Sequence, residues 1–225
     1  MNENMNKILY FLLITFLGSC AEFDSPQPYG VAPLKTFPTV MLGKYSMEDK
    51  ENLSSISISE NEILFIEYKQ RRFRMQDVKK IGDNYCVAHR TSLNDEKVVC
   101  ELTNITFSKD SVVADVIMED GFELGRNCHI MKVDDFYTIN FGINSGDGAI
   151  KWFPIFVDTF GSNYRAYYLS DSYTEKLTVR DSLGNVINYS NLKDSDIRVL
   201  FENRSSNLVL GWEFDVQRKR FKKYD

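Results

Sequence analysis

Five side chains beyond the first twenty residues could do thiol or imidazole chemistry: Cys86, His89, Cys100, Cys128 and His129. Tyr85 to His89 and Lys97 to Leu102 read as the arms of a hairpin around Leu93-Asn94-Asp95. A loop centred on Leu93 sets Cys86 opposite Cys100, with Ala88 opposite Val98 on the same face. In an oxidising compartment that pair would form a disulfide. Closing a loop of roughly 15 residues is worth about 3 kcal/mol in the chain-entropy model. Cys128 is then left as a small buried apolar residue; the plainer alternative is three reduced core thiols. Cys86-x-x-His89 and Cys128-His129 together offer enough ligands for tetrahedral zinc. Residues three apart, or adjacent, point to opposite faces of a strand, however, and the disulfide competes for Cys86. No metal ligand and no cofactor is therefore expected.

Nucleophilic and acid–base sets are no better marked. Gly142-Ile143-Asn144-Ser145-Gly146 places its serine one position late for a G-x-S-x-G elbow. Asp134-Asp135, Glu119-Asp120 and Asp194-Asp196 could serve a glycosidase, but all sit where turns want Asp. No catalytic residue is assigned, and the chain reads as a non-enzyme. Two basic clusters stand out, Lys69 to Arg74 and Arg218 to Lys223; the second, interleaved with Phe221, could grip a polyanion, but reads instead as a charged sheet edge.

These residues would be positioned by strands. The 225 residues include 16 Phe, 12 Tyr and 2 Trp, a composition that favours sheet. Ile56 and Ile58 alternate with serines. Ile63 to Tyr68, Val112 to Met118, Cys128 to Val133, Phe136 to Phe141, Ile150 to Phe156 and Tyr164 to Leu169 follow as strand signals. Leu177 to Arg180, Val186 to Tyr189, Ile197 to Phe201 and Leu208 to Val216 complete the series. Glu119-Asp120-Gly121 and Asp134-Asp135 read as turns. The expectation is an all-β fold, an antiparallel meander forming a barrel or sandwich over 41–225, with a sub-division near Asp134 if there are two units. Tyr45, Trp152, Phe153, Tyr167 and Trp212 are the candidate residues to line a ligand cavity.

The N-terminus carries a different signal. Lys7 precedes the apolar run Ile8 to Phe16, too short to span a bilayer but long enough for a signal peptide. Leu17-Gly18-Ser19-Cys20 follows and resembles a bacterial lipobox. The resemblance implies a signal peptide over 1–19 and lipid on Cys20, including an amide-linked fatty acid such as palmitate. Several acyl chains would hold the body at a membrane. Residues 20–40, with Pro26, Pro28, Pro33 and Pro38, read as an extended tether. Glu22 and Asp24 resemble the surface-export signal of Bacteroidetes lipoproteins. Gly43-Lys44-Tyr45 resembles the opening of lipocalin-like barrels, Tyr45 standing where that family has Trp. As a whole the chain resembles the β-rich lipoproteins of Bacteroidetes, which implies the cell envelope, and in particular the outer membrane, at its periplasmic face or on the cell surface.

The expected function is a membrane-anchored binding or interaction module. Its partners would be the membrane through Cys20 and either a small apolar ligand or an envelope protein. A structural subunit of an envelope complex is the alternative, and a carboxylate-dependent hydrolase ranks third. A net charge of −5 gives no global pull on nucleic acid.

Overall fold

The computed structural model of the chain describes residues 21–47, 55–90, 96–99, 102–145, 148–161 and 163–224. Cys20 and residues 1–19, the expected signal peptide, lie outside the described residues, as do 91–95, where the hairpin turn was expected, and Cys100. The fold is all-β, as the alternating patterns require. Strands β1 (Gly43–Met47), β2 (Ser55–Ile58) and β3 (Glu62–Arg74) run antiparallel. A small sheet interrupts the meander: β4 (Val78–Ile81), β5 (Asn84–Arg90) and β6 (Glu96–Val99). Then come β7 (Leu102–Phe107), β8 (Ser111–Glu123), β9 (Cys128–Val133), β10 (Phe136–Asn144), β11 (Ile150–Phe160) and β12 (Asn163–Leu169). Helix α1 (Asp171–Leu177) and the hairpin β13 (Thr178–Arg180) and β14 (Val186–Tyr189) follow. Helices α2 (Asp194–Glu202) and α3 (Arg204–Asn207) lead into β15 (Leu208–Asp215) and β16 (Arg220–Lys223).

Eleven strands make one sheet in the order β7-β8-β3-β2-β1-β16-β15-β12-β11-β10-β9. It curls into a nearly closed barrel. Phe65 of β3 and Phe122 of β8 meet Phe141 of β10 edge-on, at 5.9 and 4.7 Å between ring centres. The ladders are antiparallel except for β1 with β16, which runs parallel and joins the start of the barrel to its end. Between β8 and β9, which share no ladder among the described residues, a bridge from Leu124 to Cys128 and a hydrogen bond from the Gly125 N–H to the Cys128 carbonyl span the junction. Asp134-Asp135 is a tight turn inside the β9–β10 hairpin, with Asp134 in the left-handed region that Asp tolerates. No sub-division falls there. A second unit arises elsewhere: the far halves of β3 and β8 run past the barrel, carry β7, and pack on the β4–β6 sheet around Val87, Leu102, Ala114 and Val116. β8 is continuous through Glu119-Asp120-Gly121, where a turn was expected, because β3 pairs with it along its full length.

Strands β10 to β12 are apolar on both faces. Phe153, Ile155 and Val157 point into the barrel, whereas Trp152 and Phe156 point outward. The outward set needs a cover. Helix α2 supplies part of it, with Ile197, Leu200 and Phe201 on one face. Ile197 to Phe201 was expected as a strand. The i, i+3, i+4 spacing and Asp196, whose carboxylate accepts the Lys193 N–H at 2.8 Å, fit a capped helix.

The rest of the cover is the stretch expected to be a tether, and here the sequence reading is corrected. Ala21 is 1% exposed, and Phe23, Gln27 and Phe37 are buried. Phe23 exchanges backbone hydrogen bonds with Trp152. Asn140 holds the Gln27 backbone from both sides: it accepts the N–H at 2.7 Å and donates to the carbonyl at 2.7 Å. The Gln27 side chain donates to Asn191 and accepts from the Leu192 N–H. The prolines keep this stretch extended, but its apolar side chains bury it against the sheet. Asn140→Ala strips buried partners from two backbone groups and should cost about 2–4 kcal/mol. Urea unfolding checks the loss, and hydrogen exchange should show 21–31 opening first.

Candidate functional site

The inward side chains of the barrel enclose a cavity of about 60 Å³. Period-two alternation builds its wall: Ile56 and Ile58 of β2, Ile63 and Phe65 of β3, Ile139 and Phe141 of β10, Ile155 and Val157 of β11. Tyr45, Tyr164, Ala166, Trp212 and Phe214 complete most of the rest. The two tyrosines bring the wall's hydroxyls. That of Tyr45 donates to the Met41 carbonyl at 2.9 Å. Burial, with Tyr45 and Tyr137 nearby, pushes Tyr164 up to about 12, so it stays a neutral phenol. Such a wall attracts apolar matter and offers no charge.

Of the five lining residues expected from sequence, Tyr45 and Trp212 line the cavity. Phe153 belongs to the same core but not to the cavity wall. Trp152 and Tyr167 lie on the other face of the sheet. There Trp152 sits 4.8 Å from the His129 ring, and Tyr167 meets Phe201 edge-on. Adjacent Trp152 and Phe153 could never have shared a wall, a signal present in the sequence itself. The aliphatic residues that make most of the wall were readable from the same alternation. Ala166 opposite Trp212 was not: the pairing depends on a bulge between Ala166 and Tyr167 that slips the register past Gly211. A Cβ at Gly211 would lie 2.5 Å from the Tyr168 ring, so only glycine fits.

The thiols fall as follows. β5 and β6 pair Ala88 with Val98, the register expected from a loop centred on Leu93. Cys86 is disulfide-bonded; Cys100, its expected partner, lies outside the described residues. Cys128 is a free thiol buried in the barrel core, and burial pushes its pKa far up. His129, next to it, points to the opposite face, where burial lowers its pKa. The described residues hold no cluster of three or more His, Cys, Asp or Glu suited to a metal.

The carboxylates singled out by sequence hold structure together. Asp134 pairs with Arg198 at 2.7 Å, and Asp196 caps α2. A more buried acid was missed. Asp158, 3% exposed, accepts from Arg204 at 2.6 Å. Burial pushes its carboxyl above the usual range, against the pull of Arg204 and Arg165. Arg165 lies 3.8 Å over the Phe160 ring and reaches Glu213, which also accepts from the Tyr224 hydroxyl. This network ties α3 and the C-terminal residues to the outer face of the sheet.

Of the two basic clusters, the C-terminal one is not what was expected. Arg218 to Lys223 is no edge, because β16 lies between β1 and β15. Lys219 instead packs over the Tyr45 ring at 5.0 Å and donates to the Leu42 carbonyl. Lys69 to Arg74 lies past the last β3 residue that pairs with β2, and its described ladder partner is β8.

Comparison with known protein families, with curated proteins and with solved structures finds no match for this chain.

Two outcomes test this chemistry. Alkylation of the unfolded, unreduced chain, mapped by peptide, should label Cys128 and leave Cys86 and Cys100 until reduction; early label at Cys100 would break the expected pair. For Asp158, the folded pKa lies above the unfolded one, so the native state binds the extra proton and is favoured as pH falls. The wild type should therefore gain on Asp158→Asn as pH drops from about 7 to about 4, the gain flattening below the unfolded carboxyl pKa. Urea midpoints across that range read the difference, and a constant gap would refute the raised carboxyl.

Proposed function

We propose that the chain is a lipid-anchored envelope protein acting as an interaction module, and that it meets its partner with the outside of its β body. The size of the interior carries this reading. A cavity of about 60 Å³ is well under the ~150 Å³ of a dry apolar void that takes up benzene. A barrel that carried a lipid would have to repack its wall, at a cost set by close packing.

The outside offers more. The arm built on the far halves of β3 and β8 projects past the barrel and shows Met75, Ile81 and Phe107 to solvent. Its stretch from Lys69 to Arg74 brings a run of basic residues to the arm. The lipobox resemblance of Leu17 to Cys20 supports the anchor, and with it the envelope. The assembly-subunit reading is the limiting case in which the partner stays bound.

Native mass spectrometry of protein extracted gently from its own envelope tests the proposal. The expected result is a protein-sized added mass, together with acyl chains on Cys20 in the denatured mass of the same sample. An added mass of a few hundred daltons on a single chain would overturn the surface reading in favour of a cavity carrier. An unmodified Cys20 would overturn the anchor.

A further inference from the structure

The β13–β14 hairpin shows more apolar surface than any other short element described. Leu183 at its tip is 85% exposed, Ile187 61%, Val186 47% and Val179 39%. Ile187 is the extra residue where the register slips. A two-stranded hairpin is marginal on its own, yet this one is firmly braced. Arg180 donates to both oxygens of Glu175 on α1, at 2.8 and 3.0 Å, and to the Gly184 carbonyl at 2.9 Å. At the tip, one oxygen of Asp181 accepts the N–H groups of Leu183 and Asn185, and the other accepts the Asn185 side chain. The Gly184 N–H goes to the Asp181 carbonyl, and the Asp181 N–H to that of Asn185. Four backbone donors of the tip, those of Asp181, Leu183, Gly184 and Asn185, are therefore satisfied internally. That lowers the cost of taking the turn out of water.

Position says what the tip would meet. The base of the hairpin touches the first described residues of the chain. Tyr189 packs on Phe23 at 6.0 Å, Asn188 donates to Asp24, and Ser25 donates to Asn191. Asp24 is also held by Lys151 at 2.5 Å. Cys20 precedes Ala21 directly, and Ala21 is already buried in the body. No spacer separates the proposed lipid site from the hairpin: three residues span roughly 10 Å at most.

We propose that the β13–β14 hairpin is a second membrane contact, its tip set into the boundary between headgroups and acyl chains beside the anchor. The inference rests on the anchored reading above. The charges of Arg180, Asp181 and Glu175 limit the depth to that boundary, while Leu183 and Ile187 reach the acyl side. A lipid anchor and an apolar hairpin with fixed geometry would hold the body against the bilayer in one orientation, with the arm free to meet a partner.

The test uses the full chain in vesicles of phosphatidylethanolamine and phosphatidylglycerol. A polarity-sensitive fluorophore is placed at Leu183→Cys, with Lys109→Cys in the β7–β8 turn as the reference; Cys86 is already in a disulfide and Cys128 is buried. Emission at 183 should shift to the blue and be quenched by nitroxide lipids, and emission at 109 should do neither. Water-like emission at 183 on vesicle-bound, acylated protein overturns the hairpin contact and leaves the anchor standing. Quenching at 183 with no acyl mass on Cys20 keeps the contact and removes the anchor. A blue shift without lipid quenching means a protein pocket, and overturns the inference. Protein that stays off the vesicles, unacylated and water-like at 183, overturns both.

Discussion

The constraint from which the rest follows is that strands β10 to β12 are apolar on both faces. A strand with Trp152, Phe153, Ile155, Phe156 and Val157 in near succession cannot leave either side to water. The inward residues close the sheet on itself, so the barrel forms around Phe141, Phe153 and Trp212. The outward residues, Trp152, Phe156, Tyr167 and Leu169, then make a second core that the sheet alone cannot finish. Everything outside the barrel wall on that side is there to finish it: α2, the residues around Leu192, and the chain from Ala21 to Val31. Burying side chains the size of Phe23, Leu192 and Leu200 contributes about 1.5–3 kcal/mol each, enough to hold an extended segment with no regular structure of its own.

That requirement explains where the sequence was legible and where it was not. Alternation is a local property, so the strands, the β9–β10 hairpin and the β5–β6 register could be read from single stretches. The lining candidates were chosen as aromatics rather than by alternation, and two of the five, Tyr45 and Trp212, line the cavity. The cover could not be read in this way. Four prolines between 26 and 38 describe a backbone that stays extended, and a free tether and a packed extended strap share that signature. The distinguishing signs were Phe23 and Phe37, large apolar residues that a solvated linker has no use for. Ile197 to Phe201 was ambiguous for a related reason, since a short apolar run fits a buried strand as well as one face of a helix. β8 swallowed its apparent turn because a partner strand of equal length, sixty residues away in places, outweighed the local preference of Asp120-Gly121.

The small cavity belongs to the same picture. Ten strands enclose the interior, and large side chains fill most of it: Tyr45, Phe65, Phe141, Tyr164, Trp212 and Phe214 meet there, with Tyr45 edge-on to Phe214 at 5.4 Å. Aromatics of that size leave a residual void where their shapes fail to interlock, near Ala166. Barrel architecture and carrier function are separable for this reason. The resemblance of Gly43-Lys44-Tyr45 to a lipocalin opening concerns how a first strand starts; it does not determine how much room the finished barrel keeps.

What a strap does for an anchored protein differs from what a tether does. A flexible spacer of twenty residues would let the body sample many orientations, and contacts beyond the anchor would each bear the full entropy of being fixed. Ala21 is buried and Asn140 grips Gln27, so the strap is fixed to the body from its first described residue. Under the proposed anchoring at Cys20, an apolar side chain near that point would be held close to the bilayer, and even a modest burial energy would become effective because the encounter is already made. In that proposed geometry the exposed residues of the β13–β14 hairpin would cost little in solubility. The arm would then be carried at a restricted angle to the membrane, and a partner embedded there would meet the same surface each time.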